Sequence, residues 1–361
     1  MDGKMRVRGS LSICYTGNTC NEKGGTFMKP PRLQKGDKIA IVSPASAIAA
    51  YVPRRLARGI ATLEQMGFEV VMMPNATAVH SHTAGTIGER LQDLHMAFAD
   101  PSIKAIISTI GGFNSHQLLD ELDYELIRNN PKIFVGYSDI TALFAGIYQK
   151  TGLTTFVGPA LLTQFGQFDG LDPYTEESFN RTFMQTEPIG RIEASEEWTD
   201  EILRWDVADD RRREHQPNAG YTIVKTGVAE GPILTGNTGT LLLLAGTPYL
   251  PTFDGVVLML EDDESETPET IDRYFTQLRH MGAYDKIAAL VVGRFPRKVD
   301  FDPDFPLKDI ILRATRGYDF PIILDADFGH TDPVTTLANG IRIRVEATDS
   351  VTLDVLEAAV E

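Results

Sequence analysis

The sequence predicts an α/β protein of two domains, the first built on a parallel sheet. Three observations carry this. Between residues 38 and 148 short apolar runs alternate with amphipathic helical patterns, the mark of parallel strands joined by right-handed crossovers. From about 165 to 230 that rhythm breaks. After Gly227 it resumes, and Gly340 to Val355 closes the chain with period-two alternation, read as antiparallel strands. With 361 residues there is material for two separate cores.

Taken in order, Lys38 to Val42 is a buried-strand pattern followed by the loop Ser43-Pro44-Ala45-Ser46. Residues 53–66 form an amphipathic helix that stops at Gly67, and Phe68 to Met73 is a second strand. A helix is expected around 86–99, with Arg90 near its start. Ile103 to Ile110 is a third strand and ends in Gly111-Gly112-Phe113-Asn114-Ser115. One helix is expected over roughly 115–128. The fourth strand is Ile133-Phe134-Val135, ended by Gly136, and Ile140, Leu143, Phe144 and Ile147 then share a helical face. Residues 166–226 read as a connector with a lid, because a structureless stretch of that length inside a compact chain is usually functional. Trp198 and Trp205 lie in it, alongside an acidic run near Glu196 and the Arg211–His215 cluster. Beyond it come a strand, a Gly-rich turn and an apolar helix over Gly231 to Leu244. A strand over Gly255–Leu260, a helix over 268–281, a strand over Ile287–Val292 and the run Ile322-Ile323-Leu324 follow.

Composition excludes several classes of function. The net charge of −16 argues against a nucleic-acid partner, which needs a basic surface. No run approaches the ~18–20 apolar residues that span a bilayer. The only cysteines, Cys14 and Cys20, fall in the first 27 residues, so the body has no disulfide and no thiol zinc site, as suits a reducing compartment. Residues 1–27 lack the apolar core of a signal peptide and read as a disordered extension, with Met28 as a candidate start. H-E-x-x-H, G-x-G-x-x-G and a phosphate loop with Gly-Lys-Ser/Thr are all missing, so neither a metal nor a nucleotide cofactor is expected.

In parallel sheets ligands bind beyond the carboxyl ends of the strands, where Ser43, Gly111-Gly112 and Ser138 all fall. Ser138 stands on a sharp strand-to-helix turn, the geometry of a nucleophile elbow, with helix N-terminal N–H groups beside it. The plainer role for Ser138 or Asp139 is a helix N-cap. A nucleophilic serine needs a base. Of seven histidines, His330 is distinguished by its place in a loop just after an apolar strand, within Phe328-Gly329-His330-Thr331-Asp332-Pro333. The base needs a carboxylate, and Glu261 terminates the strand Gly255–Leu260. Glu264 is the second choice, while Asp262 and Asp263 read as a solvated acidic turn. The N–H of Asp139 and the Gly111-Gly112 turn supply candidate oxyanion donors.

These segments, with Ser43-Pro44-Ala45-Ser46 and Gly136-Tyr137-Ser138-Asp139-Ile140-Thr141, resemble the LD-carboxypeptidase family of serine peptidases from about residue 30 to the end. The resemblance is closest to the branch containing the microcin C self-immunity peptidase. It implies a flavodoxin-like N-terminal domain (residues 28–165) and a smaller, β-rich α/β C-terminal domain (residues 227–361), with the site between them. It implies a triad of Ser138, Glu261 and His330, oxyanion donors at Asp139 and Gly112, and substrate contacts at Gly111, Phe113, Asn114, Trp198 or Trp205. It implies a cytoplasmic homodimer acting on an amide next to a terminal carboxylate. The substrate would be a microcin-type aspartyl-nucleotide, or murein tetrapeptide in the other branch. The chain departs from the common G-x-S-x-G elbow by having Ile at position 140. The tryptophan-bearing connector points to the microcin-like branch, where an aromatic stacks on the nucleobase. The alternative from another class is a non-catalytic two-domain ligand-binding protein, against which the missing signal peptide argues.

Overall fold

The computed structural model describes residues 27–361. The extension expected over 1–27 therefore lies, apart from Phe27, outside the described residues, as do both cysteines. The first half alternates as expected. Strands β1 (Lys38–Val42), β2 (Glu69–Met72), β3 (Ile103–Ser108), β4 (Ile133–Gly136) and β5 (Phe156–Val157) are separated by α1 (Pro53–Gln65), α2 (Ile87–Ala99), α3 (Tyr124–Asn129) and α4 (Thr141–Thr151). They pair in parallel in the order β2-β1-β3-β4-β5, which is flavodoxin-like. β1, β3 and β4 are almost continuously buried, because helices cover both faces of the sheet. The strand order reverses between β1 and β3, so the chain leaving their carboxyl ends diverges and opens a crevice there.

The single helix expected over 115–128 is not formed. A 3-10 turn at Ser115–Leu118 is followed by a bend, and α3 restarts at Tyr124. The break has two local causes. Ser115 is drawn off by Asp139, whose carboxylate accepts its N–H at 2.8 Å. Asp123 then caps a new helix, accepting the Leu126 N–H at 2.8 Å.

The stretch read as a connector contains a helix, α5 (Pro173–Phe183), capped by Asp172. Its Phe179 and Phe183 are buried, stack edge to face at 4.8 Å and join Phe68, Phe156 and Phe165 in the core. Strands β6 (Gly190–Arg191), β7 (Glu197–Trp198), β8 (Gln216–Pro217) and β9 (Thr222–Lys225) follow. Next come β10 (Gly227–Asn237), α6 (Thr238–Leu243), β11 (Val257–Glu261), α7 (Pro268–His280), β12 (Ala289–Gly293), α8 (Leu307–Ala314) and β13 (Ile322–Ala326). The chain ends in β14 (Leu337–Ala338), β15 (Arg342–Ala347) and β16 (Val351–Val355). The second sheet has the order β6-β16-β15-β10-β11-β12-β13-β9, with a parallel centre from β10 to β13 and antiparallel flanks. β14 crosses back to pair with β5 of the first sheet.

The two sheets meet where their functional ends face each other. The N–H of Asn237, last residue of β10, donates to Thr141 Oγ1 at the start of α4, at 2.9 Å. Gly236 permits this approach, since a Cβ there would stand 2.3 Å from Thr141 Cγ2. Asn237 is also the register partner of Glu261 on β11. Thr141 is three residues after Ser138, so this contact sets the glutamate strand against the serine turn.

Candidate active site

Ser138 occupies the left-handed region at φ +62°, which a residue with a side chain adopts at a cost of roughly 1–3 kcal/mol. The surroundings enforce it. Before it, β4 is held between β3 and β5. After it, Asp139 is buried and fastened to Ser115, whose N–H reaches the carboxylate and whose hydroxyl donates to the Asp139 carbonyl at 2.5 Å. Burial pushes the Asp139 carboxyl up, against the pull of the Ser115 hydrogen bonds. Asp139 is therefore a strut for the turn as well as the owner of the first N–H after Ser138.

The Gly111-Gly112 turn is wedged against this serine. A methyl at Gly111 would lie 2.7 Å from Ser138 Cβ and 2.9 Å from its Oγ, and one at Gly112 would lie 2.8 Å from the Ser46 nitrogen. Gly111→Ala is therefore expected to displace the serine. Steady-state assays should show a loss on the order of 10²-fold in turnover, the cost of about 1 Å of misplacement, while circular dichroism stays native. Phe113 projects to solvent, 78% exposed, at the rim of this turn. The Asn114 carbonyl accepts from Arg90 Nη1 at 3.2 Å. Buried Arg90 also donates to the Pro44 carbonyl at 2.9 Å and to Gln117 Oε1 at 2.9 Å, so it ties the loop after β1 to the loop after β3. Ser43 does the same from within, donating to the Ala76 carbonyl at 2.6 Å and meeting Thr109 Oγ1 at 2.7 Å.

Glu261 and His330 meet directly. Glu261 is fully buried, and its Oε2 lies 2.5 Å from His330 Nδ1. Two glycines make the space: a methyl at Gly329 (φ +106°) would lie 2.6 Å from Glu261 Oε2, and one at Gly293 would lie 2.9 Å from Glu261 Cβ. Among the described residues Oε1 of Glu261 is buried with no hydrogen-bond partner, and the imidazole is the group that bonds this carboxylate. Burial would depress the imidazole, but the Glu261 charge and hydrogen bond, reinforced by Asp263 and Asp262, hold it up at about 9. The His330 ring packs edge-on against Tyr137, with centroids 5.0 Å apart, and Tyr137 directly precedes Ser138. Glu264 does not bond to the ring; the serine hydroxyl lies beyond hydrogen-bond contact with it as well.

Asp262 is not solvated as expected: it is 1% exposed. It accepts from Asn237 Nδ2 at 2.7 Å and from the Gly239 N–H at 3.0 Å, joining β11 to the first turn of α6. Burial, then the neighbouring Glu261 charge, pushes its carboxyl up to about 7. Asp263 is half-buried and closes a local turn on the Ser265 N–H at 2.6 Å.

The two tryptophans differ in setting. Trp198 has the guanidiniums of Arg294 and Arg297 at 4.8 and 5.5 Å from its ring, and so belongs to the polar packing over the second sheet. Trp205 packs against the small buried cluster of Ala49, Val52 and Leu162, which Ile110, the residue before the Gly-Gly turn, also covers, and Arg55 lies 4.1 Å from its ring. Among the described residues no cluster of three or more His, Cys, Asp or Glu could hold a metal, and no helix is long and apolar enough to cross a membrane.

Two family models match the chain: the LD-carboxypeptidase N-terminal domain over residues 39–158 and the LD-carboxypeptidase C-terminal domain over residues 230–345. The chain belongs to the LD-carboxypeptidase family. Membership makes it a hydrolase of the carboxypeptidase type. Its relatives include "Putative carboxypeptidase YocD" of Bacillus subtilis (strain 168), 40% identical over 89% of this chain and 96% of that protein. The microcin C7 self-immunity protein MccF of Escherichia coli is 33% identical over 87% of this chain and 92% of its own. The "Probable murein peptide carboxypeptidase" of Bacillus subtilis (strain 168) is 32% identical over 92% and 95%. A solved structure of MccF in complex with aspartyl sulfamoyl adenosine superposes with a TM-score of 0.86 at 31% identity, covering 92% of this chain and all of that one. The two-domain α/β fold read from the sequence is the fold of these structures.

Proposed function

We propose that the chain hydrolyses an amide next to a terminal carboxylate through a Ser138–His330–Glu261 triad, and that its substrate is a microcin C-type aspartyl-nucleotide or a related peptide conjugate. The observation that carries the reading is the short Glu261–His330 hydrogen bond beside a serine in a strained turn. His330 takes the Ser138 proton on Nε2 while Glu261 holds Nδ1 and offsets the imidazolium charge. Ser138 Oγ attacks the carbonyl carbon. The Asp139 and Gly112 N–H groups receive the oxyanion. The C–N bond then breaks, with His330 returning its proton to the leaving nitrogen, and water attacks the acyl-enzyme by the same route. The serine and imidazole close to hydrogen-bond distance with substrate in place, as catalytic pairs commonly do.

Trp205 is the tryptophan that we assign to the nucleobase, supported by its place on the same Ala49–Val52–Leu162 cluster that Ile110, the residue before the Gly-Gly turn, packs against. Phe113 and Asn114, which follow the Gly-Gly turn, are the further contacts that we assign to substrate. Murein tetrapeptide is the second reading, favoured by the relative named for a murein peptide. Side-by-side turnover of aspartyl sulfamoyl adenosine and murein tetrapeptide separates them; at least tenfold preference for the peptide in kcat/KM would sink the nucleotide assignment.

A base works only when neutral. With His330 held up to about 9 by Glu261, kcat/KM should rise through neutrality and level off near that value. In Glu261→Gln the raising charge is gone, and the acid limb should move down toward the ordinary histidine value of about 6.5. The plateau rate should fall by roughly 10²–10⁴. A pH–rate profile of both proteins checks this; a limb that stays in place means another group sets the base.

A further inference from the structure

Residues 199–213 form a flap whose two ends are tied to one residue. Thr199 and Asp332 exchange backbone hydrogen bonds of 2.7 and 2.9 Å, and Arg213 Nη2 lies 2.6 Å from Asp332 Oδ2. Asp332 is two residues after His330, and its Oδ1 accepts from Gln164 Nε2 at 2.8 Å. The far side of the flap reaches over α1. There Asp209, 2% exposed, takes Arg55 Nη1 on Oδ1 at 2.7 Å and Arg58 Nη2 on Oδ2, while its carbonyl accepts Arg58 Nη1 at 3.0 Å. Arg55 also donates to the carbonyls of Leu162 and Thr163, and its guanidinium backs the ring of Trp205. Of the flap's apolar side chains Leu203 is buried and Trp205 half-buried, while Ile202 and Val207 are 60% and 63% exposed.

We propose that Asp209 is a specificity-determining positioning residue: it latches the 199–213 flap onto Arg55 and Arg58 and so presents Trp205 to the nucleoside half of the substrate. This rests on the assignment of Trp205 made above. A buried carboxylate between two guanidiniums offsets the repulsion between them. Without its charge, Arg55 and Arg58 face each other with no counter-charge and the flap loses its tie to α1, keeping the one that Asp200 makes to Arg297. The loss falls on recognition, because the flap ends stay tied at Asp332 and the Ser138 turn has its own supports.

The test is calorimetric titration of adenosine monophosphate into the full chain and into Asp209→Asn. Wild-type protein should bind it, and the variant should bind at least about tenfold more weakly, equal to some 1.4 kcal/mol. Asp209→Glu should restore part of the affinity. In turnover of aspartyl sulfamoyl adenosine the variant should show the loss in KM, with kcat kept within about threefold, a split that general misfolding does not produce. Should Asp209→Asn fold poorly, Arg58→Gln removes one arm of the latch from a half-exposed position and should weaken binding in the same direction. Equal affinity in wild type and variants, no binding by the wild type, or kcat and affinity falling together would each overturn the proposal. Ser138→Ala, which tests hydrolysis, leaves this binding measurement unaffected, so the two readings fail separately.

Discussion

Ser138→Ala is expected to reduce kcat by roughly 10³–10⁶ with KM little changed, a barrier increase of roughly 4–8 kcal/mol. The hydroxyl is the bond-forming atom in the proposed route, and no neighbouring group can replace it. Donors at Asp139 and Gly112 would still bind the carbonyl oxygen, so a residual rate over water should survive. Stability should barely move, because the left-handed turn is imposed by Asp139 and Ser115 rather than by the hydroxyl. Single-turnover assays and denaturant melts measure both quantities. A variant retaining a tenth of wild-type turnover would end the serine-nucleophile account.

His330→Ala should cost as much activity as the serine change, and the double variant no more than either alone, because a nucleophile without its base is already silent. Stability separates the two. Glu261 is fully buried, its Oε1 has no hydrogen-bond partner among the described residues, and its Oε2 bonds to His330. Deleting the imidazole strands that carboxylate, so a loss of about 3–5 kcal/mol is expected in urea unfolding at neutral pH. Adding Glu261→Gln to His330→Ala removes the stranded charge and should recover much of that stability without recovering turnover. Equal stability of His330→Ala and wild type would mean that the pair is not the buried unit described here.

Much of the site was legible because its residues announce themselves locally. Ser138 follows an apolar strand and precedes a helix, Glu261 ends a strand of five buried residues, and His330 follows another strand between a glycine and a threonine. The carboxyl ends of strands in a parallel sheet lie on one side, which is where ligands bind. The break at 115–128 was hidden, because the competing partner of Ser115 lies 24 residues away at Asp139. Helix α5 had a readable Asp172-Pro173 start, but the broken apolar rhythm around it masked the signal. Asp262 looked like surface because four acidic residues in a row usually are.

By itself the chain determined the alternation of strands and helices on either side of residues 166–226, and which hydroxyl, imidazole and carboxylate stood at strand ends. These follow from periodicity, glycine and capping, all of which act over a few residues. Tertiary structure alone decided how deeply charges are buried and which distant partners meet around the flap: Asp209 with Arg55 across 154 positions and Arg213 with Asp332 across 119. The physical reason is that the energy of a charge depends on the dielectric and partners around it, and both are supplied by segments distant in sequence.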